Sequence, residues 1–162
     1  MIFVTVGTTR FEDLVMEMDR LVGAGEITDE VFAQIGSGQY VPSNMKWTRY
    51  VKNIQECFRR ADLVVCHGGA GTVFELLQIG ARFIAVPNRS LQDDHQSDLC
   101  RALEARGWAV CCYDLDRLGS LFKKMPGTRA YPFDSALPSA VWDFLTSRDR
   151  SRQRSHRMKV IR

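Results

Sequence analysis

The chain has no CxxC pair, and its five cysteines (Cys57, Cys66, Cys100, Cys111 and Cys112) are odd in number, with two of them adjacent. Zinc-ligand spacing is absent and neighbouring cysteines bridge poorly, so these read as free thiols of a reducing compartment, with neither metal nor disulfide. No window approaches the ~18 consecutive apolar residues of a transmembrane helix. The opening MIFVTVG lacks the basic stretch and small-residue cleavage site of a secretory signal. No Walker lysine turn occurs, which argues against P-loop NTPase chemistry. No GxGxxG follows the first apolar run, where Gly7-Thr8-Thr9-Arg10 stands, which argues against NAD or FAD.

What remains is ordinary globular composition: 162 residues, 25% charged and 45% hydrophobic. That length fits one domain and can bury about 70% of the surface its unfolded chain exposes. The formal charge of +3 conceals an asymmetry. Residues 148–162 hold seven basic side chains and one acid, giving +6, so residues 1–147 carry −3. The division expected is a folded body over 1–147 and a basic tail over 148–162. No aromatic interleaving accompanies the tail's arginines, so nucleic acid is not the expected partner.

Short apolar runs alternate with helix-period segments. Strands are expected over residues 2–6, 31–35, 47–51, 63–66, 82–86 and 108–112. Phe11, Leu14, Val15, Met18, Leu21 and Val22 share one helical face. Asn53 is placed to cap a helix running to about residue 60. A glycine turn over 68–71 opens a helix that ends near Gly80. Further helices are expected over 94–106, 115–124 and, beyond a proline-punctuated linker, 139–147. The alternation predicts an α/β fold, a Rossmann-like doubly wound parallel sheet.

Ligands of such sheets bind beyond the carboxyl ends of the strands. The fourth strand ends in Cys66-His67-Gly68-Gly69-Ala70-Gly71-Thr72, with Glu75 one turn into the helix. Glycines admit a ligand close to the backbone. The amides of Ala70, Gly71 and Thr72 at a helix start suit a phosphate, and Glu75 could accept from a ribose diol. The same turn could also be merely a tight connection. After the fifth strand comes Pro87-Asn88-Arg89-Ser90-Leu91-Gln92-Asp93-Asp94-His95-Gln96. Asp93 or Asp94 could simply cap the next helix, while His95 and Gln96 could face sugar hydroxyls.

Taken together, HGGAGTVFELLQIGARFIAVPN and DDHQSDLCRALEARGW resemble the C-terminal domain of glycosyltransferase family 28. The resemblance extends over residues 1–145. Within the family the chain is similar to the PssE-type subunits of exopolysaccharide transferases and to the cytosolic subunit of the split dolichol-linked UDP-GlcNAc transferase. It implies the donor-binding half of a GT-B fold. By that resemblance Tyr50 and Val51 would bracket uracil, and His67, Gly69, Ala70, Gly71 and Thr72 would hold the diphosphate. Glu75 would hold the ribose, His95 and Gln96 the donor sugar, and Gly7 and Thr8 would form a loop facing the cleft. GTTRF departs from the GTQ-x-PF form of such subunits.

The resemblance further implies inverting transfer of a sugar from a UDP-sugar to a lipid-diphosphate-linked acceptor in polysaccharide synthesis, with no metal and no cofactor. By the resemblance, the acceptor-binding half of the full enzymes is expected on another chain. A membrane-anchored partner subunit would therefore supply the acceptor site and the catalytic base. The chain would be cytoplasmic, peripheral at the inner face of the membrane, and its tail could rest on anionic headgroups. The alternative is a non-catalytic scaffold that stabilises a complete transferase.

Overall fold

Four-residue runs such as Ile2-Phe3-Val4-Thr5 are buried along their whole length, which is how strands read when helices cover both faces of a sheet. The computed structural model describes residues 1–89 and 95–124. Its elements are β1 (Ile2–Thr5), α1 (Glu12–Gly23), β2 (Val31–Gln34), β3 (Lys46–Thr48), α2 (Ile54–Arg60) and β4 (Leu63–His67). Then follow α3 (Ala70–Gln78), β5 (Phe83–Val86), α4 (His95–Ala105), β6 (Val110–Cys111), a 3-10 turn over Leu115–Arg117 and α5 (Leu118–Lys124). The expected helix over 139–147, the linker before it and the tail over 148–162 lie outside the described residues, as do Asp93 and Asp94.

All strand pairs are parallel and the order is β3-β2-β1-β4-β5-β6. The doubly wound prediction therefore holds. The chain winds outward in one direction from β1 to β3, then returns to β4 on the other side of β1. The switch point lies between β1 and β4, where the two connections diverge and leave a crevice.

Alternation along the strands divides the core. Ile2 and Val4 pack with Leu14, Val15, Met18 and Leu21 of α1 on one face. Phe3, Val64 and Cys66 pack with Phe58 of α2, Leu76 of α3 and Leu103 of α4 on the other. Phe3 is fully buried, 5.8 Å from the Phe32 ring and 5.9 Å edge-on from Phe58. Complete burial of such a ring contributes about 2–3 kcal/mol by area. Cys66, Cys100, Cys111 and Cys112 are buried, and Cys57 is half-buried. Burial pushes the Cys112 thiol up to about 11, so it is an inert hydrophobe.

Element ends differ from the sequence expectation where local hydrogen bonding overrides apolar pattern. The third strand stops at Thr48, because Thr48 Oγ1 turns to donate to the Tyr50 carbonyl. The last strand shrinks to Val110–Cys111. The segment from Leu115 starts as a 3-10 turn, capped by Asp114, whose side chain accepts from the Asp116 amide. Asn53 caps α2 as expected, its side chain accepting from the Glu56 amide.

Candidate functional site

Four chain segments meet at the carboxyl ends of β1, β2, β4 and β5. His67 is the last residue of β4, at the switch point, and is only 7% exposed. Its ring fills the space that two absent side chains leave. A Cβ on Gly7 would stand 2.9 Å from His67 Cε1, and a Cβ on Gly69 would overlap His67 Nε2. Gly7 also holds φ 64, a left-handed conformation that favours glycine. The first loop and the glycine turn thus converge on one imidazole. Burial pushes the His67 pKa below its ordinary value, opposed in part by the Thr5 backbone. The ring is therefore neutral at pH 7, and its Nδ1 is buried with no partner in hydrogen-bond geometry.

Helix α3 begins at Ala70, with Gly69 as its N-cap and no side chain capping it. No acidic residue stands in its first turn. Among the described residues no side-chain cap or first-turn acid compensates the N–H groups there and the positive end of the helix dipole. Gly71 is exposed, and a Cβ on it would meet nothing within 4 Å. Packing does not demand glycine at that position, which distinguishes it from Gly69. Thr72 is half-buried beside it.

Helix α4 closes the site from β5. Gly68 approaches it tightly, since a Cβ there would lie 3.2 Å from Gln96 Cβ and 3.2 Å from Cys100 Sγ. Gln96 is therefore next to the glycine turn, and its Oε1 accepts from the Asn88 amide at 2.8 Å. Its Nε2 donors and the second lone pair of Oε1 remain for another group. Asn88 is itself buried and donates to the Arg10 carbonyl at 3.1 Å, joining the loop after β5 to the loop after β1. His95 is the exposed first residue of α4. Thr8 is exposed on the first loop.

Three side chains that the sequence reading passed over organise the rest. Gln34, at the end of β2 and only 4% exposed, donates to the Gly7 carbonyl at 2.9 Å and accepts from the Val51 amide at 3.0 Å. It ties the segment carrying Tyr50 and Val51 to the first loop. Gln55, on α2, donates from Nε2 to Glu75 Oε2 at 3.0 Å. Asp19, buried on α1, accepts from Tyr40 Oη at 2.7 Å, the Asn44 amide at 2.7 Å and the Ser43 amide at 3.1 Å. Burial alone would push that carboxyl up, but the hydrogen bonds from Tyr40, Asn44 and Ser43 outweigh it and hold the pKa below the usual value. Residues 36–45 are further fixed by Glu12, which accepts from the Gln39 and Tyr40 amides. The Arg10 guanidinium and those amides hold the Glu12 carboxyl down to about 2.

Tyr50 is 52% exposed and, with Val51, lines an open cleft of about 480 Å³ bounded by Phe32, Glu56 and Arg60. That cleft does not reach the glycine turn. Among the described residues no group of three or more His, Cys, Asp or Glu side chains is gathered as a metal site, and no helix is long and apolar enough to cross a membrane.

A 3-2-1-4-5-6 parallel sheet with a glycine turn and an open helix start at its switch point defines a Rossmann-like class of domain. The particular family follows from comparison: the chain belongs to the glycosyltransferase family 28 C-terminal domain family, whose model matches residues 1–136. It is 34% identical over 124 residues to the human UDP-N-acetylglucosamine transferase subunit ALG13, covering 68% of this chain and 11% of that protein. It is 41% identical over 73 residues to an N-acetylglucosamine transferase of Idiomarina loihiensis that acts on N-acetylmuramyl-(pentapeptide) pyrophosphoryl-undecaprenol, covering 45% of this chain and 20% of that one. The chain thus matches only a tenth to a fifth of these relatives' lengths. In fold it is similar to MurG of Acinetobacter baumannii, with a TM-score of 0.62 at 24% identity, covering 76% of this chain and 40% of that one. It is also similar to the solution structure of ALG13, with a TM-score of 0.60 at 20% identity, covering 89% and 94%.

Proposed function

We propose that the chain is the donor-binding part of a UDP-sugar-dependent glycosyltransferase that moves a sugar to a lipid-diphosphate-linked acceptor. The observation that carries this reading is the uncapped, acid-free start of α3 beside the neutral His67 at the switch point. There the amides of Ala70, Gly71 and Thr72 would hold the diphosphate. Their dipoles would stabilise the charge that develops on UDP as it leaves, with no reorganisation of water. Removing one such preorganised donor typically costs about 3–4 kcal/mol of barrier. A neutral imidazole at His67 would offer a hydrogen bond without drawing the phosphate into a fixed ion pair. Glu75 would accept from the ribose, Tyr50 and Val51 would flank the base, and His95 with the Nε2 of Gln96 would face the sugar. Gly7 and Thr8 would line the side of the cleft toward the acceptor.

In this reading the base that deprotonates the attacking hydroxyl comes from a membrane-anchored partner subunit, and transfer inverts the anomeric carbon. The names of the human subunit and of the lipid-linked transferase support an N-acetylglucosamine donor class and a polyprenyl diphosphate acceptor. A role in exopolysaccharide synthesis follows from the resemblance to PssE-type subunits. The basic residues 148–162 would rest on anionic headgroups, each Lys or Arg adding about 1 kcal/mol near the surface.

Titration of UDP into the purified chain tests the reading at its root. Heat of binding that saturates supports it, and no binding at millimolar UDP refutes it. Co-expression with an acceptor-domain partner, followed by a screen of UDP-sugars, then tests the transferase activity. Liposome flotation with and without residues 148–162 tests the membrane contact, and equal partition of both forms would exclude it.

A further inference from the structure

Among the described residues no cation forms an ion pair with Glu75. Its recorded partner is a neutral amide, Gln55 Nε2, which donates to Oε2 at 3.0 Å. Both side chains are half-buried, Gln55 in the first turn of α2 and Glu75 in the second turn of α3. We propose that Gln55 is a positioning residue that fixes Glu75 to accept from both hydroxyls of a ribose 2′,3′-diol, so that it sets the preference for ribonucleotides over 2′-deoxyribonucleotides. This rests on the donor-site reading given above.

The chemistry of the carboxylate supports the assignment. An ionised carboxylate offers about four lone-pair directions. Gln55 takes one of these at Oε2 and leaves both directions of Oε1 and one of Oε2. A vicinal diol brings two O–H donors at a fixed spacing, which matches two oxygens held in one plane. A lysine or arginine at position 55 would compete with the diol for both oxygens and cancel the charge that strengthens those bonds. An unpartnered glutamate would instead spread over several rotamers and lose that freedom on binding. A neutral amide restricts the carboxylate and leaves its charge intact.

The placement of Gln55 is itself constrained. Asn53 caps α2 immediately before it. Val51, four residues upstream, is anchored to Gln34, which is anchored in turn to Gly7. The segment from Val51 to Gln55 is therefore fastened at both ends, to the first loop through Gln34 and to α3 through Gln55. This holds the base-flanking residues and the ribose carboxylate at one fixed separation.

The test compares UDP with 2′-deoxy-UDP by calorimetry on the full chain, in the wild type and in Gln55→Leu and Gln55→Lys. The wild type should favour UDP by about tenfold, equivalent to about 1.4 kcal/mol. Gln55→Leu should weaken UDP by nearly that factor and leave 2′-deoxy-UDP little changed, so the ratio falls toward one. Gln55→Lys retains a donor but adds a competing charge, and should recover only part of the ratio. Melting temperatures within about 2 °C of wild type would show that the fold is intact. A Gln55→Leu chain that keeps the full ratio overturns the inference. So does one that loses both ligands equally, since that reports a general structural effect. In both cases wild-type binding of UDP would leave the donor-site reading standing. Failure of the wild type to bind either ligand would remove that reading, and the inference with it.

Discussion

Gly69 and Gly71 stand two residues apart in the same turn, yet alanine at each should move stability in opposite directions. Gly71 is the second residue of α3, and its added Cβ would meet nothing within 4 Å. Alanine is better than glycine in a helix by about 0.5–1 kcal/mol, and the lower end suits the first turn. For a domain of this size that raises the melting temperature by about 1–2 °C. Gly69 has φ −73 and ψ 130, which any residue adopts, so backbone strain is not at issue. Its Cβ, however, would overlap His67 Nε2 and lie 2.7 Å from His67 Cδ2. His67 is buried and cannot swing aside, so overpacking should cost about 1–3 kcal/mol, a fall of about 2–12 °C. Binding should not follow stability. If a diphosphate lies against the amides of residues 70–72, the methyl group of Gly71→Ala crowds it and should weaken UDP by about tenfold or more, at least about 1.4 kcal/mol. Thermal unfolding and calorimetry on both variants supply the two readouts. A Gly71→Ala chain that is more stable and binds UDP with wild-type affinity would refute the placement of the diphosphate.

Glu75→Ala and His67→Ala should each weaken UDP-sugar use while the chain stays folded, and unchanged activity of both in a reconstituted complex would remove the site assignment. His67 also makes stability depend on pH. Its folded pKa lies below the ordinary value of 6.5, so the native state binds fewer protons than the unfolded one. Its stabilising contribution is full above pH 6.5 and is lost as pH falls through the folded pKa, with a slope of at most about 1.4 kcal/mol per pH unit. His67→Gln should flatten that part of the denaturation profile, and an unaltered slope would disprove the linkage. Asp19→Ala removes the acceptor of four hydrogen bonds and should destabilise the chain by about 2–4 kcal/mol, read by chemical denaturation. Because the Asp19 carboxyl is held below its usual pKa, its contribution is present at neutral pH and disappears as pH falls through the folded value.

The legible parts of this fold were those with a local cause. Runs such as Val64-Val65-Cys66 have no polar alternation, and only a strand covered on both faces accommodates them. The glycine turn, the Asn53 cap and the free cysteines likewise follow from residue type and spacing. What escaped was long-range pairing of neutral side chains. Gln34 reads as the polar end of a strand, and nothing local says that it reaches Gly7 and Val51, 27 and 17 residues away. Gln55 reads as an ordinary helix residue until the fold brings Glu75 within 3.0 Å of it, 20 residues along the chain. Asp19 sits in a helical pattern whose other inward residues are apolar, and only the packed loop over residues 40–44 shows why a carboxylate belongs there. Gln96 reads as a polar residue early in a helix, and its bond to the Asn88 amide depends on how α4 seats against β5.

Two unfavourable features coincide at the switch point, and among the described residues no side chain relieves either. The start of α3 has neither cap nor acid, although α2 in the same sheet layer has both. The His67 Nδ1 is the one buried side-chain nitrogen or oxygen among the described residues without a hydrogen-bond partner. An unsatisfied buried polar atom costs about 1–3 kcal/mol, and a missing N-cap costs about 1 kcal/mol. Both lie at the same strand end, joined through the contact of Gly69 with the His67 ring. A packing defect would more readily be scattered, or relieved by a serine or aspartate at position 69. Such a side chain is excluded there by His67 itself. The imidazole thus keeps the helix start uncapped, and the uncapped helix start offers its amides to an anion. Under the proposed function a bound diphosphate would supply, at the start of α3, the acceptors that the protein has withheld there.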